Sequence, residues 1–360
     1  MDVRPGGVWR LVMHGPDGRD YNNRIVFLEV VKPERLIYKH DPEKGSEPVS
    51  FQVTVTFAEE GAKTRLTMQM VFPSAASREY VVNTYGAIEG ANQTLGRLAE
   101  HLPQMAADTV KSGYAPVNGL NMYYEIRGAG RPLVLLHGGG STIDTSFGGV
   151  LDDFAKTRQV IAFDQQGHGR TADVDRPFNF EQSADDTAAL LRYLGVERAD
   201  FYGYSNGVSI ALQVAIRHPG LARKIVAAAV MINHDGANPE FWESMKQAKL
   251  EKMPAELHEA YLKVAPHPEQ LQTFLDKSVR RMLEFKDWRP EEIRSIQAPT
   301  MVLIGDADIV RPEHGVEMFR LLPHARLAVL PLTDHMTLLK RTDWLVSMIE
   351  MFFDAPMPQA

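Results

Sequence analysis

The sequence predicts two unlike halves. A small antiparallel α+β domain comes first, then a larger domain with a mainly parallel sheet, helices on both faces and a helical insertion. Three observations carry this. Up to about residue 105, apolar and polar residues alternate through short runs, the pattern of antiparallel strands with one wet and one dry face. From residue 132 onward, buried-strand runs alternate with helix-period runs, as a parallel sheet requires. Between Asn233 and Gln297 the strand runs stop, and large apolar residues at helical spacing replace them.

The first half reads as a meander. Val8 to Met13 alternates, and so do Asn23 to Val31, Glu34 to His40, Phe51 to Phe57 and Thr64 to Phe72. Turn residues separate these runs: Gly15-Pro16-Asp17-Gly18, Lys32-Pro33, Asp41-Pro42 with Gly45, and Glu59-Glu60-Gly61. Ser74 to Met105 has helical spacing through Tyr80, Tyr85, Ile88, Leu95 and Leu98. One long helix is expected there, covering the dry face of the sheet. Residues 106–113 are expected to form a linker.

In the second half, Tyr114 to Val117 and Leu120 to Ile126 read as a hairpin turning at Asn118-Gly119. Strands are expected at 132–136, 159–163, 199–204, 224–231, 299–304 and 326–330. Helices are expected near 145–156, 180–194, 206–218, 312–321 and 335–353.

The motifs with chemistry lie at the strand ends. Gly203-Tyr204-Ser205-Asn206-Gly207 fits Gly-x-Ser-x-Gly, follows an apolar run and precedes a helix-period stretch. A strand that turns sharply into a helix at a serine holds the hydroxyl out at the top of a sheet. The flanking glycines remove side chains that would collide in so tight a bend. The Asn206 N–H opens the helix, where donors face developing negative charge. Such a serine needs a base, and the base needs an orienting carboxylate. Pro299 to Asp308 is an apolar strand ending in a glycine and two aspartates, Asp306 and Asp308. Ala325 to Leu330 is another strand, after which Thr333-Asp334-His335-Met336 opens the last helix. Open α/β sheets place their sites at the carboxyl ends of strands. Upstream, the run Pro132 to Leu136 feeds His137-Gly138-Gly139-Gly140, where glycines let backbone N–H groups approach a substrate oxygen.

On these motifs, residues from about 113 to 355 resemble the α/β-hydrolase superfamily. Phe163-Asp164-Gln165-Gln166-Gly167-His168-Gly169-Arg170-Thr171 is similar to its Asp-x-Arg-Gly-His-Gly-x-Ser segment, with Gln166 and Thr171 as departures. The resemblance makes His168 a loop histidine, neither ligand nor base. It implies an α/β hydrolase over 114–355, with the helical insertion as a cap over 234–297. It maps Gly-x-x-Asp onto Gly305 to Asp308, so Asp308 becomes the triad acid and Asp306 the second choice. Ser205 is then the nucleophile and His335 the base. Gly139 and Asn206 form the oxyanion hole, and Phe241 and Trp242 are candidate substrate contacts in the cap. A cap makes a covered, mostly apolar pocket. The expected activity is that of a carboxylesterase on small-to-medium uncharged acyl or aryl esters, with no cofactor. The same scaffold and triad also cleave amides, thioesters and the carbon–carbon bonds of β-diketones, and make peracids. Epoxide and haloalkane hydrolases need an aspartate where Ser205 stands.

Residues 1–105 resemble the carboxyl-terminal two-thirds of the START-like (SRPBCC) helix-grip fold, in the group related to the Hsp90 ATPase activator. Phe27 to Leu36 and Gly86 to Leu98 carry this likeness. The opening strand and two short helices of that fold have no counterpart. The truncated sheet should present an unpaired edge, which is expected to pack against its own hydrolase domain or against the same domain of a second chain, and a homodimer through this domain is the favoured of the two. The non-enzymatic alternative is a protein that binds an apolar ligand or a chaperone while its hydrolase half is silent.

Composition narrows the classes. The formal charge of −7 argues against nucleic acid and against an anionic membrane surface as partners. The absence of cysteine excludes disulfides, thiolate metal sites and a cysteine nucleophile. The histidines show no metal-ligand spacing, so no metal is expected. No apolar run approaches the ~18 residues of a membrane span. The start, Met1 to Gly7, lacks the apolar core of a signal peptide, so a cytoplasmic location is expected.

Overall fold

The structure is a computed structural model that describes residues 1–14, 18, 20–40, 49–60, 63–107 and 110–358. It divides into two compact units, Met1–Ala99 and Glu100–Ala360. The turns expected at Gly15-Pro16-Asp17, at Asp41-Pro42 with Gly45, and at Gly61 lie outside the described residues.

The first unit is an antiparallel meander. Strands β1 (Val8–His14), β2 (Asp20–Val31), β3 (Arg35–His40), β4 (Phe51–Glu60) and β5 (Lys63–Val71) pair in sequence order. Phe27, Val53 and Val55 are buried, and so is Val81 of the helix that follows. The single long helix expected from apolar spacing is two helices, Ala75–Tyr85 and Ala87–Ala107. Gly86 separates them. It takes a left-handed conformation at φ 60°, and its N–H returns to the Val82 carbonyl, which is a helix stop that glycine adopts without a Cβ clash. The expected linker at 106–113 is mostly regular structure. The second helix reaches Ala107, and β6 (Val110–Val117) pairs along its whole length with β7 (Leu120–Arg127), from Val110 against Arg127 to Val117 against Leu120. That pairing satisfies backbone groups which a free linker would leave to water.

In the second unit, β6 and β7 turn through Asn118 (φ 48°) and Gly119 (φ 83°), the two positive angles of a tight type I′ hairpin. The remaining strands are β8 (Arg131–Leu136), β9 (Arg158–Phe163), β10 (Ala199–Tyr204), β11 (Ala222–Ala228), β12 (Thr300–Gly305) and β13 (Ala325–Leu330). The sheet runs β13-β12-β11-β10-β8-β9-β7-β6, parallel from β13 to β9 and antiparallel beyond. Strands β8 to β12 are buried almost throughout, as strands covered on both faces are. Val134 and Leu136 join one core with the helices Phe180–Tyr193 and Asn206–Arg217. Leu133 and Leu135 join the other with the helix Thr342–Asp354. The chain reverses its direction of travel across the sheet at β8 and β10, where an open sheet leaves a crevice at its carboxyl ends.

Between β11 and β12 lies the helical insertion. Its helices are Pro239–Lys246, Ala255–Val264, Leu271–Leu283 and Pro290–Arg294. Tyr261, Leu271 and Phe274 bury together with Phe178 in a small core of their own. The helix expected at 335–353 is also two, His335–Leu338 and Thr342–Asp354.

Candidate active site

Ser205 sits between the end of β10 and the helix Asn206–Arg217, at φ 52° and ψ −123°. A non-glycine residue held there stores roughly 1–3 kcal/mol of strain. The surroundings leave it no alternative. Its N–H donates to the Ala228 carbonyl at 2.8 Å, and its carbonyl accepts from the Val208 N–H at 2.8 Å. A Cβ on Gly207 would overlap the Leu136 carbonyl oxygen, and one on Gly203 would stand 2.6 Å from the Gly207 oxygen. The helix can approach β8 and β10 this closely only without those side chains.

His335 Nε2 lies 3.1 Å from Ser205 Oγ, and His335 Nδ1 lies 2.8 Å from Asp308 Oδ1. The structure therefore brings Ser205, His335 and Asp308 together from the ends of β10, β13 and β12. Asp308 is buried, and its Oδ1 also accepts from the Val310 N–H at 3.2 Å. Its Oδ2 is buried without a partner among the described residues. His335 is fixed from below. Asp334 caps its short helix by accepting from the Thr337 N–H at 2.7 Å, and that bond holds the Asp334 carboxyl below its ordinary range. The Tyr204 hydroxyl donates to the His335 carbonyl at 2.7 Å, and the two rings lie 5.1 Å apart. In the sequence Tyr204 has no distinguishing mark, since it is the variable position before the serine in Gly-x-Ser-x-Gly. Asp306 points elsewhere. It is exposed and accepts from the Thr333 N–H at 3.0 Å, which holds its carboxyl below the ordinary range.

The N–H groups of Gly139 and Asn206 have no acceptor among the described residues. A Cβ on Gly139 would overlap Asn206 Nδ2, so the asparagine side chain lies against the glycine and helps shape the space above it. Below that loop, His137 is a brace. Its Nε2 accepts from the Gln165 N–H at 3.0 Å, so Nδ1 carries the proton and donates to the Gly138 carbonyl at 2.8 Å. Burial pushes the His137 imidazole down to about 4. His168 is a buried loop residue whose Nδ1 lies 2.8 Å from the Gln166 carbonyl, and burial also holds it well below the ordinary histidine range.

The depressed value at His137 gives a pH prediction. The folded state resists protonation while the unfolded chain accepts it near 6.5, so the stabilisation is complete above pH 6.5. It is lost as pH falls through about 4. The window corresponds to about 3 kcal/mol. Urea unfolding of wild type and His137→Gln should give a stability gap at pH 8 that narrows towards pH 4. A gap independent of pH would mean that His137 is not held neutral.

Phe180, Ala229, Met231, Met282 and Phe285 wall the pocket at Ser205, with Asn206 and Ser209 as its other polar groups. Phe180, at the start of its core helix, meets Phe285 beyond the last long helix of the insertion edge to face at 6.2 Å. The space there is about 10 Å³, room for at most about one water. A larger cleft of about 730 Å³ shares Phe180 and Phe285 but does not include Ser205. Phe241 and Trp242, expected to touch substrate, line neither space. Trp242 Nε1 donates to the His234 carbonyl at 2.8 Å, and Phe241 packs on Trp242 at 4.9 Å. Both are committed to holding the insertion on the core. Among the described residues there is no cluster of metal-ligating side chains, and no helix is long and apolar enough to cross a membrane.

A serine, an imidazole and a carboxylate in series at the carboxyl ends of a mainly parallel eight-stranded sheet define the class of α/β hydrolases. The chain belongs to this family. Residues 131–273 match the alpha/beta hydrolase fold, and residues 1–103 match the activator of Hsp90 ATPase homolog 1-like protein family. The uncharacterized hydrolase YraK of Bacillus subtilis (strain 168) is 34% identical over 113 residues, 31% of this chain and 41% of that protein. The dihydrolipoyllysine-residue acetyltransferase component of the acetoin cleaving system of Pseudomonas putida is 30% identical over 278 residues, 66% of this chain and 69% of that protein. The crystal structure of the enol-lactonase from Burkholderia xenovorans LB400 shares the fold, with a TM-score of 0.55 at 23% identity over 67% of this chain and 100% of that one.

Proposed function

We propose that this hydrolase cleaves carboxylic esters through an acyl-enzyme on Ser205. The observation that carries the reading is the continuous chain from Ser205 Oγ through His335 to Asp308, at 3.1 and 2.8 Å. His335 Nε2 takes the Ser205 proton as Oγ attacks the ester carbonyl carbon. The N–H groups of Gly139 and Asn206 receive the oxyanion. Buried Asp308 holds the proton on Nδ1 and stabilises the imidazolium. His335 then protonates the departing alcohol, and water, deprotonated by the same imidazole, releases the acid from the acyl-enzyme. The walls formed by Met231, Met282, Phe180 and Phe285 favour an apolar acyl or aryl body.

The experiment joins labelling to turnover. A fluorophosphonate should modify Ser205, located by peptide mass, and p-nitrophenyl esters of rising chain length should be hydrolysed. Amide and β-diketone substrates run beside them should turn over far more slowly. Labelling at another residue, or none, would remove Ser205 as nucleophile. Faster cleavage of the amide or β-diketone would keep the triad and replace the ester as substrate.

A further inference from the structure

Arg281 lies on the helix Leu271–Leu283, one residue before Met282, which lines the pocket at Ser205. It is only 5% exposed. Its guanidinium rests 5.4 Å over the Phe178 ring and 5.3 Å over the Phe180 ring. Its Nε and Nη2 are buried and make no hydrogen bond, and no carboxylate lies within ion-pair distance of it among the described residues.

Among the described residues, the other deeply buried cations have partners. Arg158 meets Asp200 and Asp354, and Lys224 donates to the carbonyls of Phe352, Phe353 and Ala355. Lys277, one turn earlier on the same helix as Arg281, pairs with Asp173 at 2.6 Å. A buried charge without a counter-ion is strongly unfavourable, so one that is retained asks for an anion.

The position of the guanidinium says where that anion would lie. Nη2 stands 3.7 Å from the point a Cβ on Gly139 would occupy, the same point that Asn206 Nδ2 crowds. Arg281 thus borders both residues proposed to bind the oxyanion. It also lines the 730 Å³ cleft, where the neighbouring Arg176 and Lys277 are already paired with Asp186 and Asp173 and Arg281 is not. With two aromatic rings beside it, the guanidinium keeps Nε and Nη2 unpartnered along one edge, and a carboxylate matches that edge with two parallel hydrogen bonds. A single buried guanidinium balances one negative charge. A dianionic phosphate would leave a charge uncompensated among Phe178 and Phe180.

We infer that Arg281 anchors a carboxylate on the substrate. The substrate is an ester or lactone with an apolar body against Phe180, Met282 and Phe285 and a carboxylate on the guanidinium. This rests on the proposed ester hydrolysis at Ser205, and it replaces the wholly uncharged substrate expected from the cap's composition. The carboxylate takes no part in bond making. Acylation and hydrolysis proceed as above, with Arg281 fixing the carbonyl over Ser205.

The test uses the full-length protein and two matched substrate pairs. In one, 4-acetoxybenzoate is compared with methyl 4-acetoxybenzoate, so the charge is on the leaving group. In the other, mono-p-nitrophenyl adipate is compared with methyl p-nitrophenyl adipate, so the charge is on the acyl group. The wild type should favour the anion in at least one pair by roughly tenfold or more in kcat/KM, as a well-placed ionic hydrogen bond provides. Arg281→Met should erase that preference, and Arg281→Lys should retain part of it. No preference in either wild-type pair overturns the inference, as does a preference that survives Arg281→Met. Equal loss on both members of a pair also overturns it, by assigning Arg281 to the oxyanion or to folding. Fluorophosphonate labelling of the same samples keeps the two readings apart. An unlabelled wild type defeats the ester mechanism itself, whereas a labelled wild type that prefers the neutral esters defeats only the carboxylate anchor. Labelling of Arg281→Met reports that the variant is folded.

Discussion

Replacing Ser205 with alanine is expected to lower ester turnover by on the order of a millionfold, the loss seen when a comparable triad loses its serine. The substitution isolates chemistry from folding. Alanine keeps the Cβ, so it meets the same strain at φ 52° that serine already bears, and the bonds from Ala228 and Val208 involve only backbone atoms. The variant should unfold at nearly the wild-type temperature while releasing p-nitrophenol no faster than buffer. Retention of more than a few per cent of wild-type turnover would exclude Ser205 as the nucleophile. His335→Ala should be almost as damaging, because Nε2 at 3.1 Å is the base that the mechanism gives the Ser205 hydroxyl.

The second large effect separates two aspartates only two positions apart. Asp308→Asn is expected to cost about ten-thousandfold in kcat, and Asp306→Asn less than about tenfold. Asp308 is buried against His335 Nδ1 at 2.8 Å, where its charge would stabilise the imidazolium that the proposed mechanism forms as Ser205 attacks. The asparagine amide offers no charge there, and its NH₂ group would stand where Oδ2 already lacks a partner. Asp306 is exposed and braces only the turn at Thr333. Steady-state kinetics on both variants decides the matter, and equal losses would give the role to Asp306 or to neither.

Much of this arrangement is legible in the sequence because its signals are local. Gly203 to Gly207 encode a bend that tolerates few other residues, and the apolar runs at β8 to β13 are long enough to identify a sheet buried on both sides. Alternation in residues 8–72 likewise forecasts the five-stranded meander. The features that escaped are non-local or are masked by periodicity. Apolar spacing continues across Gly86 as though one helix ran through it, since a glycine inside a helix differs from a stop only in its backbone angles. Phe241 and Trp242 carry the composition of a binding wall, but which face of the insertion meets Ser205 is decided by packing. Arg280 and Arg281 are indistinguishable as letters. One is largely exposed beside Glu284 and the other is enclosed by Phe178 and Phe180, a difference that exists only in three dimensions.

The small size of the space beside Ser205 changes what substrate recognition there would require. Phe180 and Phe285 already touch one another, so the ester of the proposed reaction would compete with a wall-to-wall contact and not with bulk water alone. Admission is then a matter of work: the walls must part, and the ligand must return at least the contacts their parting removes. A very short acyl group holds the walls apart without touching both, whereas a longer one bridges them. Affinity across a homologous series of esters should therefore rise abruptly at the length that spans the gap, as a threshold and not as a constant increment per methylene.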